Sequence, residues 1–325
     1  MTWSQKVIDW HHTHGRHHLP WQQHITPYRV WVSEVMLQQT TVNTVLSYFP
    51  KFIEKYPTIE ALSTADYQDV LTLWSGLGYY RRAKYLYQGA RTLCSEYQGQ
   101  WPSTLKELMK IPGIGRSTAG ALLSLGMNKR GVILDGNVKR VLQRVYGITT
   151  PTSDSGTMKK LFELAQDAHP QDHHRTYSQA MMDIGATLCH VKSPHCDACP
   201  IQHDCHTHHH QLWDQIPAKA KRKKPESISL HLSLYTDGMH VLLCQQPDTG
   251  LWADTWLPPI SEEKTPLHGS FTHVLTHRRI KVYPHVIHVT QPPNIPGARW
   301  LKIDEDGIPK TKILTKCLAH IKHYI

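Results

Sequence analysis

The stretch KIPGIGRSTAGALLSL, residues 110–125, decides how the rest of the chain is read. A helical period runs into Pro112-Gly113-Ile114-Gly115, and a second helical period begins at once. Two glycines let the backbone turn tightly and come close to a ligand. The helix that follows offers free N–H groups and the positive end of its dipole. The pattern predicts either a hairpin that grips a phosphate through its backbone or a plain helix–helix turn, and the segment alone does not choose.

Outward from this hairpin the chain reads as mostly helical through residue 213, with helical periods over 27–56, 67–97, 103–127, 136–146, 157–168 and 174–189. Thr26-Pro27 supplies a cap and an N1 proline, and Ser103 precedes the helix TLKELMK. DQIPAKAKRKKPES, 214–227, holds two prolines and five basic residues and reads as an exposed basic linker. Beyond it Ile228, Leu230, Leu232 and Leu234 alternate as in a half-buried strand, Asp237-Gly238 signals a hairpin turn, and HVLLCQQ returns. A last helix is expected near 311–323. The expected organisation is therefore a helical domain over 1–213, the linker, and a smaller α+β domain over 228–325. The tract HTHHHQ, 206–211, reads as a solvated tail.

Of 325 residues, 36 are Lys or Arg and 26 Asp or Glu, giving a formal charge of +10. The excess sits in residues 1–227, with 26 basic against 18 acidic residues. That imbalance favours a polyanionic partner. The first residues lack the apolar core of a signal peptide, and no run approaches the ~20 apolar residues that a membrane span needs. The seven cysteines are odd in number and four of them cluster, which argues against a secreted disulfide framework and for a reducing, cytoplasmic setting with a metal site.

Three further segments carry candidate chemistry. Asp135 precedes a helix with Val138, Val141, Leu142 and Val145 on its apolar face; it is a plain N-cap or a functional carboxylate. Glu34 lies between Val32 and Val35, near Trp31 and Met36. It either turns to solvent or sits in an apolar pocket that raises its pKa into the range of a general acid. CHVKSPHCDACPIQHDC, 189–205, spaces cysteines as C-x6-C-x2-C-x5-C. Spacing alone leaves zinc and an iron–sulfur cluster both open.

SEVMLQQT (33–40), LWSGLGYYRRAKYL (73–86), IPGIGRSTAG (111–120), LDGNVKRV (134–141) and QAMMDIGATLC (179–189), followed by the four cysteines, closely resemble the MutY-type adenine DNA glycosylases. These form part of the helix-hairpin-helix, iron–sulfur branch of base-excision repair enzymes, and the likeness covers about residues 5–215. The resemblance implies a [4Fe–4S] cluster on Cys189, Cys196, Cys199 and Cys205, fixing a basic loop with Lys192 and His195 against DNA. It implies that Glu34 protonates a flipped adenine, that Asp135 stabilises the sugar cation, and that Asn137 supports Asp135. Gln179 resembles the reader of the adenine edge, Trp21 and Leu37 pocket walls, and Gln39 and Tyr79 residues wedged beside the opposite base. Gln38, Thr40, Gly113, Gly115 and Ser117 fall in the motifs that contact DNA or substrate.

Strand-cleaving relatives of the endonuclease III type carry lysine where this chain has Ser117, which cannot form an imine. The expectation is a monofunctional, monomeric adenine glycosylase, DNA-associated in the cytoplasm, acting on duplex A:8-oxoguanine or A:G. Residues 228–325 resemble the family's Nudix-like domain. Glu262-Glu263 is followed by Lys264, without the R-E-x2-E-E-x-G box that holds Mg²⁺, so no pyrophosphatase activity is expected. Leu275-Thr276-His277 stands where the family's lesion-reading loop has F-S-H, which makes Thr276 and His277 the expected readers. The competing readings are an endonuclease III-like lyase, disfavoured by Ser117 and the extra domain, and a non-catalytic iron–sulfur DNA-binding protein, disfavoured by Glu34 and Asp135.

Overall fold

A computed structural model describes residues 2–218, 224–262, 269–275, 277–305 and 307–323. The chain forms two compact units that are not colinear with the sequence. Met1–Thr64 and Tyr85–Lys221 make the first; Ala65–Lys84 and Arg222–Ile325 make the second. The expected single helical domain over 1–213 thus gives up a segment, 65–84, to the C-terminal unit.

The first unit is helical. It contains α1 (Trp3–His14), α2 (Pro27–Leu37), α3 (Val42–Lys55), α4 (Ile59–Ser63), most of the helix that spans Arg81–Tyr97, a short turn of helix Leu105–Leu108, and Arg116–Ala121, which continues as a π-turn over Leu122–Gly126. Gly136–Val145, Ser155–Asp167, His174–Thr187 and His206–His210 complete it. In chain order the second unit's Tyr67–Leu73 is α5, and the helices just given are α6 to α12.

Local chemistry explains the boundaries. Thr26 caps α2 by accepting from the Arg29 N–H at 3.2 Å, with Pro27 at N1. The cap before α7 is Thr104 and not Ser103. The periods predicted over 27–56, 67–97 and 103–127 are each broken. Gln39 and Tyr79 have φ of 57° and 50°, and Gly113 has φ of 80°; a left-handed residue ends a helix. The core packs α1, α9 and α11 together and buries Val7, Ile8, Val138, Val141, Leu142 and Ile184. The apolar face read from the sequence of α9 is the face that is buried.

One close crossing sets the site. A side chain on Gly120 would run into the Val132 carbonyl, and one on Gly131 into the Gly120 carbonyl. Two glycines therefore let the segment before α9 lie directly on α8, where the Leu134 N–H donates to Ser117 Oγ at 3.2 Å.

Two expectations in this unit change. His206–His210 is a helix and not a solvated tail: Thr207 is fully buried and donates to the Arg144 carbonyl at 2.9 Å. The start of the expected linker is docked, with Ile216 buried and its carbonyl accepting from Arg144 Nε at 2.9 Å. Its residues 219–223 lie outside the described ones.

The second unit joins α5 and the first turn of α6 to a sheet. Its strands are β1 (Glu226–Thr236), β2 (His240–Gln245), β3 (Trp256–Leu257), β4 (Phe271–Val274), β5 (Arg278–His288) and β6 (Ala298–Lys302), with α13 (Lys312–Ile321) following. The order is β3-β2-β1-β5-β4, with β6 also on β2. The predicted hairpin forms at Asp237-Gly238, while β1 and β5 pair in parallel from Glu226↔Arg278 to Thr236↔His288. Pro284 is tolerated in β5 because β4 pairs only with Arg279 to Val282, so on that side no strand among the described residues pairs with Pro284. Leu232, Leu234, Val241, Ile280 and Val282 bury one sheet face together with Ile313, Leu314, Cys317 and Ile321 of α13. Among the described residues no helix is long and apolar enough to cross a membrane.

Candidate active site

A pocket of about 780 Å³ opens in the first unit, walled by α1, the segment around Trp21, α2, the start of α8, the Leu134–Asn137 segment and α11. Glu34, Asp135, Asn137, Ser117, Gln179, Trp21, Leu37, Gln38 and Thr40 all line it. Residues from five parts of the sequence thus meet around one space.

Its two carboxylates differ. Glu34 is pushed up to about 7, mainly by burial and then by the charge of Asp135, so the apolar-pocket reading holds over the solvent-facing one. Asp135 caps α9: Oδ1 accepts from the Val138 N–H at 2.7 Å, and Oδ2 accepts from Asn137 Nδ2 at 3.1 Å. Asn137 is fixed in turn, its Oδ1 accepting from Arg140 Nη2 at 2.9 Å. Asp135 is thus an N-cap that also forms part of the pocket wall. The arrangement holds one carboxyl poised to carry a proton near neutral pH and one fixed at the positive end of a helix.

Four residues in this wall or directly behind it were missed in the sequence: His11, Arg16 and Arg175 line the pocket, and Asp183 backs it. Gln179 Nε2 donates to Asp183 Oδ1 at 2.9 Å. Asp183 is fully buried and accepts from the Arg16 N–H and Arg16 Nε, each at 2.9 Å, with His11 Nε2 3.4 Å away. Burial would raise the Asp183 carboxyl, but His11 and Arg16 outweigh it and hold it at about 2. Arg175, also on the wall, donates from Nε to the Leu125 carbonyl at 2.6 Å and so closes the π-turn. The i,i+4 spacing of Gln179 and Asp183 on one helix was a usable signal. Arg16, 167 residues from Asp183, gave none.

A second, much smaller cavity, about 30 Å³, is lined by Cys189, Cys196, Cys199 and Cys205 together with Arg144 and Trp213. Burial pushes the Cys199 thiol up to about 12, and the neighbouring thiols add to it; Cys196 and Cys205 are raised for the same first reason. Arg144 Nη1 donates to Cys189 Sγ at 3.2 Å and to the His190 carbonyl at 2.6 Å. Among the described residues no three His, Cys, Asp or Glu groups converge on a point that would hold one metal ion. The four thiols instead surround one cavity beside a buried cation. This all-sulfur donor set fits an iron–sulfur cluster, whose ligands are thiolates.

The remaining expected residues stand apart from the pocket lining. Gln39 is exposed in left-handed backbone. Gly113 makes the hairpin turn, where a Cβ would press on Tyr85, and Gly115 is the N-cap of α8. In the second unit Tyr79 is 45% exposed, which sets aside a core role for its ring. It lies between Gly78, also at positive φ, and Arg82, whose guanidinium stands 5.4 Å from the ring centre. Leu275 packs on the sheet core and His277 is exposed. Thr276, and Glu263 and Lys264 of the missing Nudix box, lie outside the described residues.

The chain matches the model of the HhH-GPD superfamily base excision DNA repair proteins over residues 32–167. It is 45% identical over 227 residues to the adenine DNA glycosylase of Buchnera aphidicola subsp. Acyrthosiphon pisum, covering 70% of this chain but just under two thirds, 65%, of that protein. To the adenine DNA glycosylase of Buchnera aphidicola subsp. Baizongia pistaciae it is 34% identical over 350 residues, covering 100% of this chain and 99% of the relative. A solved structure of a thermostable thymine-DNA glycosylase is similar with a TM-score of 0.57 at 25% identity, covering 64% of this chain and 95% of its own. The likeness thus runs through the pocket, both carboxylates and the hairpin, and the chain belongs to the adenine DNA glycosylases of the HhH-GPD base excision repair superfamily.

Proposed function

We propose that the protein is a monofunctional adenine DNA glycosylase, hydrolysing the N-glycosidic bond of adenine opposite 8-oxoguanine or guanine in duplex DNA. The observation that carries this reading is the pairing of Glu34, held near pH 7, with a helix-capping Asp135 on one pocket.

The target bond is hidden in the duplex, so the adenosine must swing out into the pocket. Glu34 gives its proton to a ring nitrogen of adenine as the C1′–N9 bond breaks, and the bonding pair leaves with the base. The sugar is left as an oxocarbenium-like cation beside the Asp135 carboxylate, which stabilises it. Water adds at C1′ and loses a proton, leaving an abasic site. Asn137 keeps Asp135 oriented. Gln179 commits its NH2 to Asp183 and turns a carbonyl acceptor to the adenine amine. Trp21 and Leu37 wall the base, and Gln38, Gln39, Thr40 and Tyr79 take the strands around it. The hairpin at Gly113 and Gly115 grips a phosphate.

Ser117 lacks an amine, so no imine to the sugar forms and the strand stays intact. A [4Fe–4S] cluster on the four cysteines would serve as a structural cross-link, holding the loop with Lys192 and His195 toward DNA. Thr276 and His277, in a Nudix-like domain without hydrolase activity, would read 8-oxoguanine. The test is single-turnover cleavage of a duplex with one A:8-oxoguanine pair. Free adenine should appear at once and strand breaks only after alkali, from protein holding about four irons and four sulfides. Breaks without alkali, or no adenine from either mispair, would overturn the reading.

A further inference from the structure

The segment that carries Tyr79 belongs to the same compact unit as the C-terminal sheet, and a small set of contacts fastens it there. Asp254 lies at the centre. Its Oδ2 is 3.1 Å from Lys84 Nζ and accepts from the Tyr67 hydroxyl at 3.3 Å, while its carbonyl accepts from Gln68 Nε2 at 3.4 Å. Lys84 also donates to the Asp248 carbonyl at 3.0 Å, and Trp256 Nε1 donates to Gln68 Oε1 at 3.3 Å. At the far end of α5 the Thr72 hydroxyl donates to the Gly307 carbonyl at 3.1 Å, and the Lys310 N–H to Ser75 Oγ at 3.0 Å.

An exposed ion pair would mean little. Here the Asp254 and Lys84 side chains are only 16% and 21% exposed. Asp254 also holds φ of 62°, a left-handed backbone that few side chains accept. A residue in left-handed backbone whose carboxylate and carbonyl are both spent on one neighbouring helix pair is a built contact.

We infer that Asp254 is a positioning residue: through Lys84 and Tyr67 it ties the Tyr79 loop to the sheet that carries Leu275 and His277, so that both act on the base opposite adenine as one element. This rests on the reading of Tyr79 as a wedge beside that base. Lesion recognition is then not confined to the 275–277 loop. It depends equally on how firmly the sheet holds a loop about two hundred residues earlier in the chain, an order of separation set by contacts such as Tyr67 to Asp254.

The test uses the full chain and duplexes in which a 2′-fluoro-adenosine that resists cleavage faces 8-oxoguanine. Asp254→Asn keeps a residue that tolerates the left-handed backbone and removes only the charge; Lys84→Met removes the partner and serves if the first variant is unstable to heat. Each should raise the dissociation constant about tenfold, the scale of a lost charged hydrogen bond, while adenine release from ordinary duplex at saturating enzyme stays within twofold. Tyr79→Ala should weaken binding by a similar factor, and Tyr79→Ala with Asp254→Asn should be no weaker than the worse single variant. A double variant whose loss is the product of the two overturns the coupling, as does wild-type binding by both Asp254→Asn and Lys84→Met. Wild-type binding by Tyr79→Ala alone removes the wedge reading, and the inference with it.

Discussion

The large pocket and the cysteine cavity share a wall, α9, yet they use it in opposite ways. At the helix start Asp135 and Asn137 face a space of about 780 Å³, with hydrogen bonds that leave room for a ligand. Two turns on, Arg144 lines a space of about 30 Å³ and spends its guanidinium on the carbonyls of His190, Val191 and Ile216 and on Cys189 Sγ. Arg140 stands between them, bonded to Asn137 Oδ1 on one side and to the Cys189 carbonyl at 2.7 Å on the other. The difference teaches how one helix separates chemistry from cohesion. Its N-terminus favours an anion and stays open; its later turns carry cations and are closed by protein.

That separation can be broken by experiment. Glu34→Gln removes the proposed proton donor, and single-turnover adenine release should fall by about a thousandfold while mispair binding persists, within the usual range for a general acid. Asp135→Asn keeps the cap geometry but not the charge, and release should fall by about a hundredfold. Either variant retaining more than a tenth of the parent rate would mean that the carboxylates have other roles. Arg144→Met, measured by urea unfolding, should cost about 2 kcal/mol, because buried carbonyls lose their donor. In the surviving folded fraction release should slow by less than tenfold. A loss as large as that of Asp135→Asn would show that the two cavities work as one.

A further effect concerns pH. As the proposed acid Glu34 would act in its protonated form, and its carboxyl sits near 7, raised by burial and by Asp135. Below that value the acid form is present. As pH rises through it, the single-turnover rate should fall about tenfold per unit, the slope of one lost proton. A rate that stays flat to pH 9 would locate the proton donor elsewhere.

The pocket was largely legible in the sequence because its parts are local. Thr26-Pro27 starts α2, and Asp135 starts α9 with Val138, Val141, Leu142 and Val145 behind it; each signal lies within a turn or two of the residue it positions. The breaks at Gln39 and Tyr79 were not legible, because a left-handed Gln or Tyr leaves no compositional mark as a glycine does. Nor was β5, whose charges and Pro284 disguise a strand that pairs along its whole length with β1, some fifty residues earlier. Arg16 and Asp183 meet across 167 residues, and only the fold brings them together. The capture of residues 65–84 by the C-terminal unit is the same kind of event on a larger scale.

That capture also orders the birth of the molecule. Tyr67 precedes Asp254 by 187 positions. At translation speeds of about 5–20 residues per second, α5 is made roughly ten to forty seconds before the sheet that holds it. During that interval Lys84 and Tyr67 await Asp254, while the helices of residues 85–213 are already able to close around the pocket. The second unit can therefore be finished only after β1 to β6 are made and reach back to a segment made long before. Closing so long a loop is slow, which makes the docking of the early helix pair on the sheet a late step in the folding of this unit.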